Sequence, residues 1–165
     1  MADVNQELLK AIDIAIEAEL KANKFYKESA EKVSNERGKN LLLQLANFEL
    51  SHYNKLNDLK KSYSEDGKFI AYQGTEFETV ETDAKSEVAG TIESNRDDAL
   101  QILTMAIDAE KKAFEHYKRM ADATNDPEGK EMFQKLADEE TLHRRILSDE
   151  FYQLSNQGGY WSWGD

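Results

Sequence analysis

The chain has 165 residues, 33% charged and 39% hydrophobic, with one proline and 8 glycines, which is enough for one domain with a real core and few helix interruptions. Its net charge of -12 argues against nucleic acid or an anionic membrane as partner, since both are polyanions. The absence of cysteine excludes disulfides, thiolate metal sites and iron–sulfur clusters. Met1 to Asn5 has no signal-peptide pattern and no apolar run approaches membrane-spanning length, so the expected compartment is the cytoplasm.

The first element is a helical stripe of Leu8, Ile12, Ala15, Glu19, Ala22, Tyr26, Ala30 and Val33 at i, i+3, i+4, i+7 spacing. It breaks at Ser34 to Gly38, and a second stripe follows with Leu42, Leu45, Glu49, His52, Leu56 and Leu59. These make a helical hairpin over about residues 5–60. A linker of about 61–95 comes next, with Phe69 to Tyr72 and Phe77 to Val80 extended and part of 86–98 feeding the third helix. Its length suits a crossover along a whole bundle, and it would also let hairpins exchange between protomers.

The third stripe is Leu103, Ala106, Glu110, Ala113, Tyr117 and Ala121. Asp126 followed by Pro127 suits an N-cap and a first helical position. The fourth stripe is Phe133, Leu136, Glu140, His143 and Leu147, closing a second hairpin over about 96–155. The tail, 156–165, holds both tryptophans, Trp161 and Trp163, and is expected to pack on the bundle end or on a neighbouring subunit.

The two hairpins are copies. Residues 9–60 slide onto 100–151 without a gap, an offset of 91. The matches include Ala18/Ala109, Glu19/Glu110, Ala22/Ala113, Tyr26/Tyr117, Gly38/Gly129, Leu45/Leu136, Glu49/Glu140 and His52/His143. Two copies are too few for a solenoid but suit a four-helix bundle made of duplicated hairpins.

The chemistry lies in the stripes. Glu19, Glu49, Glu110 and Glu140 occupy core-facing positions, where an unpaired carboxylate costs several kcal/mol. No Lys or Arg shares those stripes nearby. Glu and His at i and i+3 lie on one helix face, so Glu49/His52 and Glu140/His143 each form a chelating pair. With Glu19 and Glu110 either bridging or flanking, six side chains can hold two metal ions, one histidine to each. This is the ligand arrangement of ferritin-like carboxylate bundles. Iron, zinc and manganese all suit it. The plain alternative is a hairpin pair whose Glu and His neutralise each other in a partly wet core. Tyr26 and Tyr117, two turns beyond their glutamates, are candidates for hydrogen bonding to ligands on a facing helix and so supporting catalysis. His116 reads as a boundary residue, and Glu17 and Asp108 face elsewhere.

At Glu19 with Tyr26, Glu49-Leu50-Ser51-His52, Glu110 with Tyr117, and Glu140-Thr141-Leu142-His143, the chain resembles the rubrerythrin-like branch of the ferritin-like superfamily. The resemblance covers both hairpins, about 8–60 and 99–155. It implies an all-α ferritin-like bundle, a non-haem di-iron centre, reduction of hydrogen peroxide or oxygen, and a homodimer, sometimes with exchanged hairpins. Two departures matter. The four cysteines of a rubredoxin domain are absent, so an external protein must donate electrons. The extra carboxylate that rubrerythrins carry one turn after the second-copy Glu is replaced by Ala113, with Ala22 as its first-copy counterpart. The expectation is therefore a nearly two-fold symmetric site with six ligands. Ferroxidase activity for iron storage and a non-redox metal-binding bundle are the competing readings.

Overall fold

The computed structural model describes residues 4–75, 93–156 and 161. Four helices follow one another: α1 (Gln6–Lys32), α2 (Glu36–Asp66), α3 (Arg96–Ala123) and α4 (Pro127–Asn156). Their ends are set by local chemistry. Asn5 Oδ1 accepts from the backbone N–H of Glu7 and Leu8, Asn35 from Gly38, and Asp126 from Glu128 and Gly129. Each thereby satisfies donors left open in a first turn. Gly67 ends α2 in the left-handed region at φ 65°, with its N–H on the Tyr63 carbonyl. The Arg96 guanidinium donates to the carbonyls of Leu154 and Ser155 at the end of α4.

These helices form an all-α four-helix bundle in which α1 packs on α2, α3 on α4, and α1 on α3. Asn5 N–H donates to Tyr63 Oη, so α1 begins where α2 ends. Asn95 Nδ2 donates to the Lys32 carbonyl, so α3 begins at the opposite end. The end of α2 and the start of α3 therefore lie at opposite ends of the bundle. The described part of the connection between them folds back on the core. Phe69 packs against Tyr63 and Phe133, and Tyr72 is buried. The extended segment expected around Phe77 to Val80, Tyr160 and Trp163 lie outside the described residues.

The apolar core comes in two halves. One holds Tyr26, Leu41, Leu45, Leu103, Leu147 and Trp161, and the other Ile12, Leu56, Leu59, Tyr117, Phe133 and Leu136. Glu19, Glu49, His52, Glu110, Glu140 and His143 lie between them. Trp161 closes the first half. Its Nε1–H donates to Glu93 Oε2 at 3.2 Å, and the same carboxylate accepts from the backbone of Ser34, Asn35 and Asn95. Burial alone would raise the Glu93 pKa, but these backbone donors hold it below the usual carboxylate range. One side chain thus joins the α1–α2 turn, the start of α3 and the tail.

Gly38 makes room for that tryptophan, since a Cβ there would sit 2.6 Å from Trp161 Cε2. Gly38→Ala should therefore destabilise the native protein. In a Trp161→Ala background the same change should become mildly stabilising, by about 0.5 kcal/mol, because only the helical preference for alanine remains. Trp161→Ala alone should cost about 3 kcal/mol. Urea denaturation of the four-member cycle measures all three values.

Candidate metal centre

Each helix delivers part of one cluster. α1 supplies Glu19, α2 Glu49 and His52, α3 Glu110, and α4 Glu140 and His143. None of the six is more than 3% exposed, and both histidines are at 0%. His52 Nδ1 lies 2.9 Å from Glu140, 3.3 Å from Glu19 and 3.5 Å from Glu49. His143 Nδ1 lies 3.0 Å from Glu49, 3.6 Å from Glu110 and 3.7 Å from Glu140. Both rings turn the same nitrogen inward, and they lie nearly parallel with centroids 6.3 Å apart.

The cluster resolves into two groups of possible ligand atoms, each within 4.8 Å of one another. One is Glu19, Glu49, His52 and Glu140, and the other is Glu49, Glu110, Glu140 and His143. Glu49 and Glu140 belong to both groups. Glu19 and Glu110 belong to one each, so the glutamates of the Glu-x-x-His pairs are shared and the single glutamates flank.

Four carboxylates in one buried layer cannot all keep their charge without a counter-charge. Burial and the neighbouring Glu49 push Glu19 up to about 8. Burial and Glu110 push Glu140 up to about 8. Glu49 is raised as well, by burial and by Glu110. Glu110 keeps its charge, near 2. Burial opposes that charge, but hydrogen bonding from Glu140 and the adjacent His143 outweigh it. Burial disfavours the charged histidines, yet the surrounding carboxylates raise both well above the usual imidazole range. Protons can therefore do in the metal-free chain what cations would do in the loaded one. Glu110 Oε2 is buried with no hydrogen-bond partner among the described residues, which fits an oxygen built to meet a cation.

Both tyrosines reach the cluster, and each serves the opposite hairpin. Tyr26 Oη donates to Glu110 Oε1 at 2.6 Å, and Tyr117 Oη donates to Glu19 Oε1 at 2.5 Å. The crossing follows from antiparallel α1 and α3 combined with the same seven-residue Glu-to-Tyr step in each copy. His116 stays out of the cluster, with Nε2 2.9 Å from the Ala11 carbonyl. Glu17 and Asp108 are exposed and pair with Lys21 and Lys112.

The expected two-fold symmetry stops at the six inner side chains. His52 Nε2 meets Glu139 Oε2 at 2.5 Å, and Glu139 also accepts from Tyr72 Oη and the Thr75 N–H. The first-copy counterpart of Glu139 is Phe48, whose ring stands edge-on to His143 with centroids 4.2 Å apart. Phe48 also stands edge-on to His52, at 5.1 Å, so both imidazoles pack on its ring, and a carboxylate holds the outer nitrogen of His52. Stripe periodicity misses Glu139 because it lies one position before Glu140, at the edge of the buried face. The Phe48/Glu139 mismatch in the repeat was the available signal. No periodic pattern announces Tyr72, which sits in the crossover.

A family model described as rubrerythrin matches residues 7–151. Among solved structures, a hypothetical protein from Pyrococcus furiosus is similar, with 29% identity, 93% of each chain covered and a TM-score of 0.71. Among curated proteins no relative matches.

The raised carboxylates make the metal-free fold pH-sensitive. Glu19 and Glu140 hold protons when folded up to about pH 8, whereas the unfolded chain releases them from about 4.5. Their stabilising contribution is complete below the lower value and is lost as pH rises to the upper one. The raised histidines act in the same direction above their ordinary value of 6.5. The melting temperature of metal-free protein should therefore fall between pH 5.5 and 8. Glu19→Gln/Glu140→Gln should flatten that slope.

Proposed function

Because this chain belongs to the rubrerythrin family, we propose that it is a non-haem di-iron oxidoreductase that reduces hydrogen peroxide, or oxygen, at the buried carboxylate–histidine cluster. The observation that carries the reading is the pair of overlapping ligand groups sharing Glu49 and Glu140. A single ion would leave one flanking glutamate and one histidine without a cation. Glu19 and His52 would hold one iron, Glu110 and His143 the other, and Glu49 and Glu140 both. Two bound Fe(II) would supply, one each, the two electrons consumed when peroxide and two protons become two waters.

The protein's own contribution is position and charge. Four carboxylates against two imidazoles favour cations of high charge in a buried layer. Tyr26 and Tyr117 orient the flanking carboxylates and stay protonated, since burial and the nearby glutamates raise their pKa well above the ordinary phenol range. Glu139 fixes the His52 ring so that its Nδ1 faces inward. With no cysteine in the chain, electrons come from an external protein. One turn after Glu19 and Glu110 on the ligand stripes stand Ala22 and Ala113 rather than a seventh carboxylate, so the six-ligand set would stay fixed as the iron changes charge. We place the protein in the cytoplasm as a homodimer.

Anaerobic Fe(II) titration should saturate at two ions per chain, one for each ligand group. Glu49→Ala or Glu140→Ala should abolish the second equivalent and weaken the first by about 10- to 100-fold. Rapid mixing should show bound iron oxidised faster by peroxide than by oxygen. Faster oxidation by oxygen would favour the ferroxidase reading. Full binding with no oxidation by either would leave a non-redox metal protein, one that zinc or manganese would suit equally.

A further inference from the structure

A recess of about 500 Å³ opens between α1 and α3 onto the cluster. Its floor is Glu19, Glu49, Glu110 and Glu140, with Tyr26 and Tyr117 beside them. Its walls are mostly small and apolar, set by Ala15 and by the repeat pairs Ala18/Ala109 and Ala22/Ala113. Helix faces inside a bundle normally interlock to crystal-like density. Here alanines at matched positions in both copies keep a space open above the carboxylates.

Peroxide does not need such a space. Two oxygen atoms fit in roughly 60 Å³, judged from the share of liquid volume taken by one water. The recess instead falls within the range of sites that enclose small organic molecules, about 300–1,000 Å³. Two large apolar side chains stand exposed at its lip, Ile14 at 58% and Met105 at 53%.

Charge at the mouth selects among organic ligands. In a chain of net charge -12, the recess is edged by Lys21, Lys112 and Arg119. Lys21 pairs with Glu17 at 3.3 Å and Lys112 with Asp108 at 3.0 Å. Arg119 makes no ion pair with any described residue, which leaves one cation uncommitted beside an apolar recess. A second copy of the chain is a poorer occupant. The surface is concave, and its rim carries two ion pairs, whereas the centres of protein interfaces are depleted of charge.

We propose that this recess binds an organic acid with an apolar chain, the chain against the alanine walls and the carboxylate at Arg119. Binding itself needs no metal. Only its placement as a second substrate beside a redox centre rests on the di-iron reading.

Calorimetric titration of metal-free and Fe(II)-loaded protein with decanoate and with decanol tests the proposal. One decanoate should bind per chain in both forms. Ala18→Phe/Ala109→Phe should weaken binding at least about tenfold while Fe(II) stoichiometry stays unchanged. Arg119→Glu should weaken decanoate about fivefold and leave decanol unaffected, and it serves alone if the filled variant does not fold. No saturable decanoate binding, or binding indifferent to Arg119→Glu, would overturn the proposal. So would a molar mass that halves in Ala18→Phe/Ala109→Phe, since a second copy would then be the occupant. Loss of Fe(II) binding with decanoate binding intact would count against the di-iron reading and not against this site.

Discussion

Burying four carboxylates and two imidazoles in one layer of an apolar bundle is the constraint on which the rest of the structure depends. Each charge taken from water costs several kcal/mol unless something of opposite sign comes with it. Lysine and arginine are kept away from this layer. Only protons or metal cations remain, and the metal-free chain already uses protons, with Glu19 and Glu140 raised to about 8. The two apolar halves on either side give the fold enough packed surface to carry a polar layer between them.

Duplication is the economical way to build such a layer. One hairpin provides a flanking glutamate, a chelating Glu-x-x-His pair and a tyrosine. Two antiparallel copies close the cluster, and each tyrosine lands on the other copy's flanking glutamate. Divergence then appears beside the ligands rather than among them. Phe48 and Glu139 occupy equivalent positions, yet Phe48 packs edge-on against both histidines while Glu139 meets His52 Nε2. The two ends of the cluster are therefore chemically distinct, although the six side chains within it match.

The parts legible in the sequence are those tied to helical periodicity. Glu19, Glu49, His52, Glu110, Glu140 and His143 stood out because polar residues on an apolar stripe require a partner, and the 91-residue offset ruled out coincidence. A tyrosine reaching ligands on a facing helix was legible, but which glutamate Tyr26 meets was not, because contacts between helices depend on their direction, which spacing along one helix does not encode. Glu139 was hidden at the edge of the buried face. Tyr72, Glu93 and Trp161 lie in segments without periodicity, where only the folded chain shows what they reach. The recess was hidden for the opposite reason. Alanine on a stripe reads as tight packing, whereas here matched alanines hold a space open.

Diffraction at the iron absorption edge from crystals loaded with Fe(II) tests the central claim most directly. The account predicts two anomalous peaks inside the bundle, one among Glu19, Glu49, His52 and Glu140 and one among Glu49, Glu110, Glu140 and His143. Iron found only on exposed acidic side chains, with neither position occupied in the bundle, would contradict it.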